Sequence, residues 1–315
     1  MRAPVRPTFY FIGVTTAASS SRALFPAWMG VLGRPEVCWE GIDMAIHSPA
    51  PEYRRVVEHI REEPLALGGL VTTHKIDLLA AARDLFDELG PYAIATDEVS
   101  SIAKDDGRLV GRATDPVAGG ESLDAIIGPG YFGRSGGHVL LLGAGGSSVA
   151  LTLHLLGTTG PSDRPERVVV VNRSRPRLER LRAMVERRDP PIEFEYLLND
   201  DPARNDLIME RLPAGSVVIN ATGMGKDTPG SPLTGAAAFP ERGVVWELNY
   251  RGDLDFLHQA KAQEAQRSLT VADGWDYFVR GWASVMSHVL HVSIDADTFG
   301  ALSRVAAATR RGGSG

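Results

Sequence analysis

The stretch His138–Ala150 constrains the fold of this chain more than any other part of it. It opens with HVLLL, an apolar run without alternating polar side chains, which is typical of a strand buried on both faces. A Gly-Ala-Gly-Gly turn and the predicted first turn of a helix follow. This order creates a phosphate cradle, because glycines let the backbone approach an anion and the free amides of the helix start point at it. A tight turn without a ligand is the less favoured interpretation. The candidate phosphate-binding residues are Gly143, Ala144, Gly145, Gly146 and Ser147.

The residues after the next strand indicate which dinucleotide would bind. That strand is predicted at Val168–Val171, and in a dinucleotide fold its end meets the adenosine ribose. An acidic side chain there would accept a hydrogen bond from the 2′-hydroxyl of NAD, but this chain has arginines instead. Guanidinium groups suit a 2′-phosphate, and cations at a helix start oppose its dipole, so an exposed basic helix start without a ligand is less favoured. We therefore expect NADP as the cofactor, held by Asn172, Arg173, Ser174 and Arg175.

Three further strands are predicted in the same part of the chain, at 216–220, 244–248 and 269–272. With the two strands above, they make five strands that alternate with helices, which predicts a doubly wound sheet of the Rossmann type. Small residues after the third of these five strands leave room for a flat ring or a ribose. The candidate cofactor-binding residues at the ends of these strands are Ala221, Thr222, Gly223, Met224 and Gly274.

The first part of the chain also alternates strands with helices. Strands are predicted at 8–14, 37–44 and 66–72, with apolar-periodic helices between them, which indicates a small α/β domain with a mostly parallel sheet. A hairpin follows, because Asp106-Gly107 separates two short apolar runs. The sequence thus predicts a substrate-binding domain at 1–117, an NADP-binding domain at 118–274, C-terminal helices at 275–309 that return to the first domain, and a flexible tail at 310–315.

Lys75 and Asp115 are the candidates for acid–base chemistry. We expect both at the ends of strands of the first domain, where α/β sheets line a ligand crevice. A carboxylate beside an ammonium can hold it in place and tune its pKa for proton transfer. Judged from their spacing alone, however, two unrelated solvated charges are the more common outcome.

Composition excludes several classes of protein. The net charge of −6 argues against nucleic acid as the main partner. No apolar run approaches the roughly 20 residues that a membrane span needs. Cys38 is the only cysteine, so no internal disulfide can form, which suits a reducing compartment and predicts a cytoplasmic protein. We expect no metal site, and a monomer or a homodimer.

From Gly13 to about Val292, the order of short motifs resembles the shikimate dehydrogenase family. The matching motifs are Ser19-x-Ser21, the segment Gly69–Lys75, Gly107-x-Leu109-x-Gly111-x-Ala113-Thr114-Asp115, Gly143–Gly146, Asn172-Arg173-Ser174 and Asn220-Ala221-Thr222. The resemblance implies an NADP-dependent oxidoreductase that interconverts a ring hydroxyl and a ketone. It implies Lys75 as the acid–base group with Asp115 as its partner, and a substrate carboxylate at Ser19 and Ser21.

The departures from the family lie in the predicted substrate pocket. Ala113 replaces the asparagine of Asn-Thr-Asp, Ser100 and Ser101 replace Asn-Thr, Arg22 replaces a proline, and Arg280 replaces a glutamine. A site that loses hydrogen-bonding groups discriminates less well between substrates, so the resemblance predicts the type of reaction better than it predicts the substrate. We expect a shikimate-like cyclic polyol or hydroxy acid. The candidate substrate-binding residues are Ser19, Ser21, Thr72, Ser100, Tyr250 and Arg280.

An alternative function is a catalytically silent NADP-binding sensor or regulator with the same fold. An eroded substrate pocket is what such a protein would show. Retention of both Lys75 and Asp115 favours an enzyme, because a sensor needs no group that transfers a proton.

Overall fold

A mixed six-stranded sheet forms the centre of the first unit of the chain, which comprises Met1–Asp115 and the chain from Val279 onward. The structure, a computed structural model, describes residues 1–158, 160–226 and 228–312. The strands of this sheet are β1 (Thr8–Gly13), β2 (Cys38–Asp43), β3 (Ala66–Val71), β4 (Glu88–Leu89), β5 (Ser101–Asp105) and β6 (Arg108–Arg112), in the order β2-β1-β3-β5-β6-β4. The helices are α1 (Ser21–Val31), α2 (Ala50–Glu62), α3 (Lys75–Ala82), α4 (Pro91–Thr96) and the C-terminal α11 (Trp275–Leu290) and α12 (Ala296–Gly312).

The expectation of a mostly parallel sheet holds for only part of this unit. Strand β1 pairs in parallel with β2 and β3, whereas β5 is antiparallel to both β3 and β6. The hairpin that reverses the direction has Asp106 at φ +47° and Gly107 at φ +79°, and positive φ at both positions is what a two-residue hairpin turn of this kind requires.

Helices cover both faces of β1, which explains why all six of its residues are buried. Tyr10 and Ile12 belong to a core cluster with residues of α2 and α3. Phe9 and Phe11 face the other way, and their rings lie 5.7 and 5.5 Å from that of Trp282 in α11. Helix α11 therefore packs against this face of β1.

The second unit, Pro116–Phe278, contains a six-stranded sheet in which all pairs are parallel. Its strands are β7 (Val139–Leu142), β8 (Arg167–Asn172), β9 (Glu193–Leu198), β10 (Val217–Asn220), β11 (Val244–Glu247) and β12 (Thr270–Ala272), in the order β12-β11-β10-β7-β8-β9. The helices are α5 (Asp115–Ile127), α6 (Tyr131–Ser135), α7 (Gly146–Gly157), α8 (Arg175–Glu186), α9 (Pro202–Met209) and α10 (Asp255–Arg267). The strand order reverses at β7, which is the doubly wound arrangement that the sequence predicts.

Three expectations need correction. The prediction of five strands in the second unit was wrong, because it missed β9. This edge strand pairs only with β8 and carries Glu193 and Glu195, so it lacks a continuous apolar run. Lys75 and Asp115 are the first residues of α3 and α5 rather than the last residues of strands. Helix α12 continues through Gly312, so it includes the start of the expected tail, and residues 313–315 lie outside the described part of the chain.

Candidate active site

Lys75 and Asp115 form an ion pair in the first unit. Lys75 begins α3 just after β3, and Asp115 begins α5 just after β6. The ammonium of Lys75 donates a hydrogen bond to Oδ2 of Asp115. The side chains are 21% and 19% exposed, so the pair is mostly shielded but reachable from solvent. From their spacing in the sequence alone, these two groups would be interpreted as unrelated charges. The structure brings their side chains into contact.

The surroundings of Lys75 favour its charged form. Burial lowers the pKa of Lys75, but the carboxylates of Asp115 and Glu98 outweigh burial, and the net result is a pKa above the ordinary value for lysine. Glu98 itself is only 6% exposed. Lys75 is therefore an ammonium at neutral pH, which makes it a proton donor in this state of the protein.

Buried hydrogen bonds fix the backbone on both sides of this ion pair. The amide of Val99 donates to the carbonyl oxygen of Lys75 at 3.2 Å. Oγ of Ser100 accepts a hydrogen bond from the amide of Thr114 at 2.7 Å and lies 2.9 Å from its hydroxyl. Ser100 is 2% exposed, so this predicted substrate-binding residue is engaged in holding the segment that leads into Asp115.

The serines predicted to receive a carboxylate lie together at the start of α1. The Oγ atoms of Ser19 and Ser21 are 2.7 Å apart, and Ser21 is fully buried. The 3-10 turn Thr16–Ala18 before them is tied to the end of β2, because Oδ1 of Asp43 accepts a hydrogen bond from the amide of Thr16 at 2.7 Å. Hydrogen bonds from Thr16 hold the pKa of Asp43 below its ordinary value.

The other predicted substrate-binding residues lie in different surroundings. Thr72 is half-buried just after β3, and its amide donates to the carbonyl oxygen of Ile12 at 3.0 Å. The guanidinium carbon of Arg280 lies 4.2 Å from the ring centroid of Phe299, which is cation–π geometry. Tyr250 belongs to the second unit, where it packs against other rings. Its nearest ring centroids are those of Trp275 at 5.6 Å and Phe278 at 4.5 Å.

The glycine turn after β7 has the geometry of a phosphate cradle. Gly143 has φ +117°, and a Cβ atom there would lie 2.6 Å from the carbonyl oxygen of Ala221, so no other residue fits without a shift. Gly145 is the N-cap of α7, and Gly146 is the first helical residue. Because the first amides of a helix have no partner within it, those of Gly146 and Ser147 suit an anion. Ala144 lies between the glycines and is 5% exposed.

The end of β8 fits the adenosine part of NADP. Nδ2 of Asn172, the last residue of β8, is buried and makes no hydrogen bond to any residue that the structure describes, so a donor is left for a ligand. Ser174 is the N-cap of α8 and Arg175 is its first residue. Arg173 and Arg175 are both exposed, as arginines that bind a phosphate at the surface would be.

The turn Ala221–Met224 follows β10 and is held by its own side chains. Oδ1 of Asn220 accepts hydrogen bonds from the amide and the hydroxyl of Thr222, at 3.1 and 2.6 Å. The hydroxyl of Thr222 in turn accepts from the amide of Met224 at 3.2 Å. Gly274 lies close to the end of the neighbouring strand, where its amide donates to the carbonyl oxygen of Asn249 at 3.2 Å.

Sequence analysis missed a buried carboxylate beside this turn. Glu247 ends β11, is fully buried, and accepts hydrogen bonds from Asn220 and Asn249. Burial raises the pKa of Glu247 to about 7, although hydrogen bonds from Asn249 and Asn220 lower it. The available signal was an acidic residue at the end of the apolar strand VVWE.

Neither a metal-binding cluster nor a membrane-spanning helix occurs in the part of the chain that the structure describes. No group of three or more His, Cys, Asp and Glu side chains there is arranged to hold a metal ion. Among the same residues, no helix combines the length and the apolar character needed to cross a membrane.

Known proteins resemble this chain in sequence and in fold, although no family model matches it. The NADP(+) shikimate dehydrogenase of Symbiobacterium thermophilum is 32% identical over 209 residues, which span 66% of this chain and 65%, slightly less than two thirds, of that relative. Shikimate 5-dehydrogenase from Thermus thermophilus, solved in complex with shikimate, is 25% identical with a TM-score of 0.66, over 96% of this chain and 98% of that chain. Ligand-free 5-ketofructose reductase from Gluconobacter shares the fold at 20% identity and a TM-score of 0.71, over 97% and 99% of the two chains. The chain is therefore similar in sequence to NADP(+) shikimate dehydrogenases, and it shares the fold of the shikimate dehydrogenase from Thermus thermophilus.

Proposed function

We propose that the chain is an NADP-dependent oxidoreductase that interconverts a ring hydroxyl and a ketone on a shikimate-like cyclic polyol or hydroxy acid. The observation that carries this proposal is the shielded ion pair of Lys75 and Asp115. A proton donor of this kind is what the reduction of a ketone to an alcohol requires. The relative from Symbiobacterium thermophilum, named as an NADP(+) shikimate dehydrogenase, supports the same reaction class.

Several residues of the second unit would hold NADP. The amides of Gly146 and Ser147 at the start of α7 suit its pyrophosphate, and Asn172 with the exposed guanidinium of Arg173 suits its adenosine end. Arg175 and the turn Ala221–Met224 complete the proposed site. When bound, NADP(H) supplies or accepts the hydride of the reaction.

Lys75 would move the proton. In the direction of reduction, its ammonium donates a proton to the ketone oxygen as that oxygen becomes a hydroxyl, and in the reverse direction the amine accepts it. Asp115 orients Nζ through its hydrogen bond and stabilises the ammonium. Because the pKa of Lys75 is raised, the proton-donating form that reduction needs predominates at neutral pH.

The substrate would be a ring polyol that differs from shikimate in its hydrogen-bonding groups. The paired hydroxyls of Ser19 and Ser21 suit a carboxylate or a hydroxyl of the substrate. Ala113 offers no side-chain hydrogen bond where the family has an asparagine, and Ser100 is engaged with Thr114. The structural neighbour named 5-ketofructose reductase supports testing neutral keto sugars beside cyclic acids.

The test is a panel of cyclic hydroxy acids, neutral cyclitols and keto sugars, in which NADPH absorbance is followed and NAD(H) is run in parallel. We expect turnover with NADP(H), which Lys75→Ala abolishes while NADP+ still binds. Faster turnover with NAD(H) would contradict the roles of Arg173 and Arg175. Binding of NADP+ without turnover of any substrate by the unmodified protein would favour the silent sensor instead.

A further inference from the structure

Glu247 is a buried carboxylate for which the proposed reaction has no use. It is the last residue of β11 and has no solvent-exposed surface. Its Oε2 atom accepts a hydrogen bond from Nδ2 of Asn220 at 2.6 Å. Its Oε1 atom accepts two from Asn249, one from the backbone amide at 2.8 Å and one from Nδ2 at 2.7 Å. Three donors therefore converge on one carboxylate, which is the arrangement that suits its ionised form.

The same two asparagines hold the turn that we propose as part of the NADP site. Asn220 receives the amide and the hydroxyl of Thr222 on its Oδ1 atom. Nδ2 of Asn249 also reaches the carbonyl oxygens of Thr222 and Met224, at 3.1 and 3.2 Å. Each asparagine thus contacts both Glu247 and the turn. The carboxylate fixes the direction in which both amide groups point.

We propose that Glu247 is a positioning residue of the NADP site, whose ionised carboxylate aligns Asn220 and Asn249 and so holds Thr222–Met224 in the shape that receives the cofactor. The inference rests on the proposed NADP-dependent function. Protonation would relax this arrangement, because a protonated carboxyl must direct its O–H toward a group that already donates. One of the three hydrogen bonds would then be lost, and the turn would lose part of its support.

The electrostatic environment makes this change of charge accessible. Burial raises the pKa of Glu247 to about 7, the hydrogen bonds from Asn249 and Asn220 lower it, and the carboxylate of Asp273 raises it further. Asp273 follows β12, the strand beside β11, and is the charged group that acts on Glu247 from a neighbouring element. Cofactor affinity should therefore depend on pH near neutrality.

The experiment measures NADP+ binding by calorimetry from about pH 5.5 to about pH 8.5, so it needs no substrate. The variants are Glu247→Gln and the control Asp206→Asn. Asp206 is a second buried carboxylate of the same unit, and it accepts hydrogen bonds from the amide of Thr234, at 3.1 Å, and from its hydroxyl rather than from the turn. The 2′-phosphate of free NADP+ titrates in the same way in every experiment, and its proposed contacts with Arg173 and Arg175 are the same in all variants, so differences between the curves report on Glu247.

The unmodified protein should bind NADP+ about five-fold more weakly at the acidic end, with a midpoint near pH 7, as the loss of about one hydrogen bond predicts. Glu247→Gln should bind about five-fold more weakly at the alkaline end and lack the step, because it cannot ionise. Asp206→Asn should follow the unmodified protein. If Glu247→Gln gives the affinity and the pH dependence of the unmodified protein, the inference is wrong.

Two further outcomes keep the test decisive. If the unmodified protein does not bind NADP+ at any pH, the proposed function fails rather than the role of Glu247. If thermal unfolding shows that Glu247→Gln does not fold, Asn249→Ala takes its place. That variant removes the hydrogen bonds to the carbonyl oxygens of Thr222 and Met224 but keeps the hydrogen bond from Asn220 to Glu247. It should therefore weaken NADP+ binding and move the midpoint of its pH dependence to higher pH. An unchanged affinity and midpoint would overturn the proposal.

Discussion

The two units differ in how they accommodate a carboxylate away from water. In the first unit, Asp115 faces the ammonium of Lys75, and about a fifth of each side chain still reaches solvent. In the second unit, Glu247 is fully buried, and its hydrogen bonds come from the amides of Asn220 and Asn249. An adjacent cation favours the ionised form of a carboxylate through its charge, whereas neutral donors favour it only through hydrogen bonds, so the two carboxylates lie in different electrostatic surroundings.

This difference separates a fixed charge from an adjustable one. The pKa of Lys75 is raised, so its ammonium keeps its charge throughout the neutral range. The pKa of Glu247 is about 7, so its charge changes within that range. We expect the proton-donating group to be insensitive to moderate changes of pH, while the proposed cofactor site responds to them.

The largest effect is expected for Asp115→Asn, which removes the negative charge of the ion pair that sets Asp115 apart from Glu247. The ammonium of Lys75 would lose its ionic partner and its orientation, so kcat should fall by roughly 10²- to 10⁴-fold, the range for a general acid or base. The KM for NADP+ should not change, because Asp115 belongs to the proton-transfer pair. Steady-state kinetics of the panel substrate with the highest turnover measures both quantities.

Asp124→Asn is the matched control for that variant. Asp124 lies on α5, as Asp115 does, and pairs with His154 at 3.0 Å, but it is 62% exposed. Its substitution should leave kcat within about two-fold, since exposed ion pairs contribute little. Equal kinetics of Asp115→Asn and Asp124→Asn would show that the ion pair takes no part in the reaction.

The stability of the two units should respond to acid in opposite directions. Burial lowers the pKa of His288 in the first unit to about 4, helped by the charges of Arg112 and His291. The contribution of neutral His288 to the free energy of unfolding is therefore complete above pH 6.5, the pKa in the unfolded chain. It decreases by up to about 3 kcal/mol as the pH falls toward 4. The pKa of Glu247 is raised, so its contribution to the free energy of unfolding is complete below pH 4.5, the pKa in the unfolded chain. It decreases by a similar amount as the pH rises through 7.

Hydrogen exchange, corrected for the intrinsic rate at each pH, measures this contrast by region. Between pH 7 and pH 4.5, we expect β5 and α11 to lose protection while β10 and β11 gain it. His288→Gln can keep the hydrogen bond to Ser101, which is 2.7 Å long in the unmodified protein, and it should remove the acid response of the first unit only. A common direction of change in both units would contradict the linkage.

These two sites also show how far the sequence alone can reach. The cradle at Gly143–Gly146 is predictable, because its backbone conformation demands glycine and its residues are consecutive. The role of Glu247 is not, because its partners Asn220 and Asn249 become neighbours only when β10 and β11 pair. An acidic residue at the end of an apolar strand is a visible anomaly, but its explanation lies 27 residues away in the chain.

The predicted substrate-binding residues of the first unit likewise have contacts that the sequence alone does not reveal. The motifs identified Lys75 and Asp115, whereas only the structure shows that Ser100 is engaged with Thr114 and that Arg280 lies over Phe299. Strand β9 escaped prediction because an edge strand with alternating charges lacks the apolar run of the central strands. Local patterns therefore determined most of the elements, and pairings distant in the chain determined the environment of the side chains.

The smallest effect is expected at a third carboxylate, that of Asp43, which is exposed to solvent. Oδ1 of Asp43 accepts a hydrogen bond from the amide of Thr16, in the turn that leads to Ser19 and Ser21. Asp43→Asn can keep this hydrogen bond but not its charge, and a hydrogen bond to a neutral acceptor is about half as strong. The KM for the substrate should rise two- to three-fold, by roughly the weakening of one hydrogen bond, with kcat unchanged.

Asp43→Ala should raise that KM further, because it removes the acceptor altogether, whereas Glu40→Gln on the same strand should leave it unchanged. Neither substitution at Asp43 should alter the affinity for NADP+, since its hydrogen bond supports only the turn before α1. The effects on substrate and on cofactor would then separate by unit, as we also expect for the variants of Asp115 and Glu247. An unchanged KM in Asp43→Ala would mean that the packing of Ser21 at the start of α1, where it is fully buried, holds the two serines without the turn.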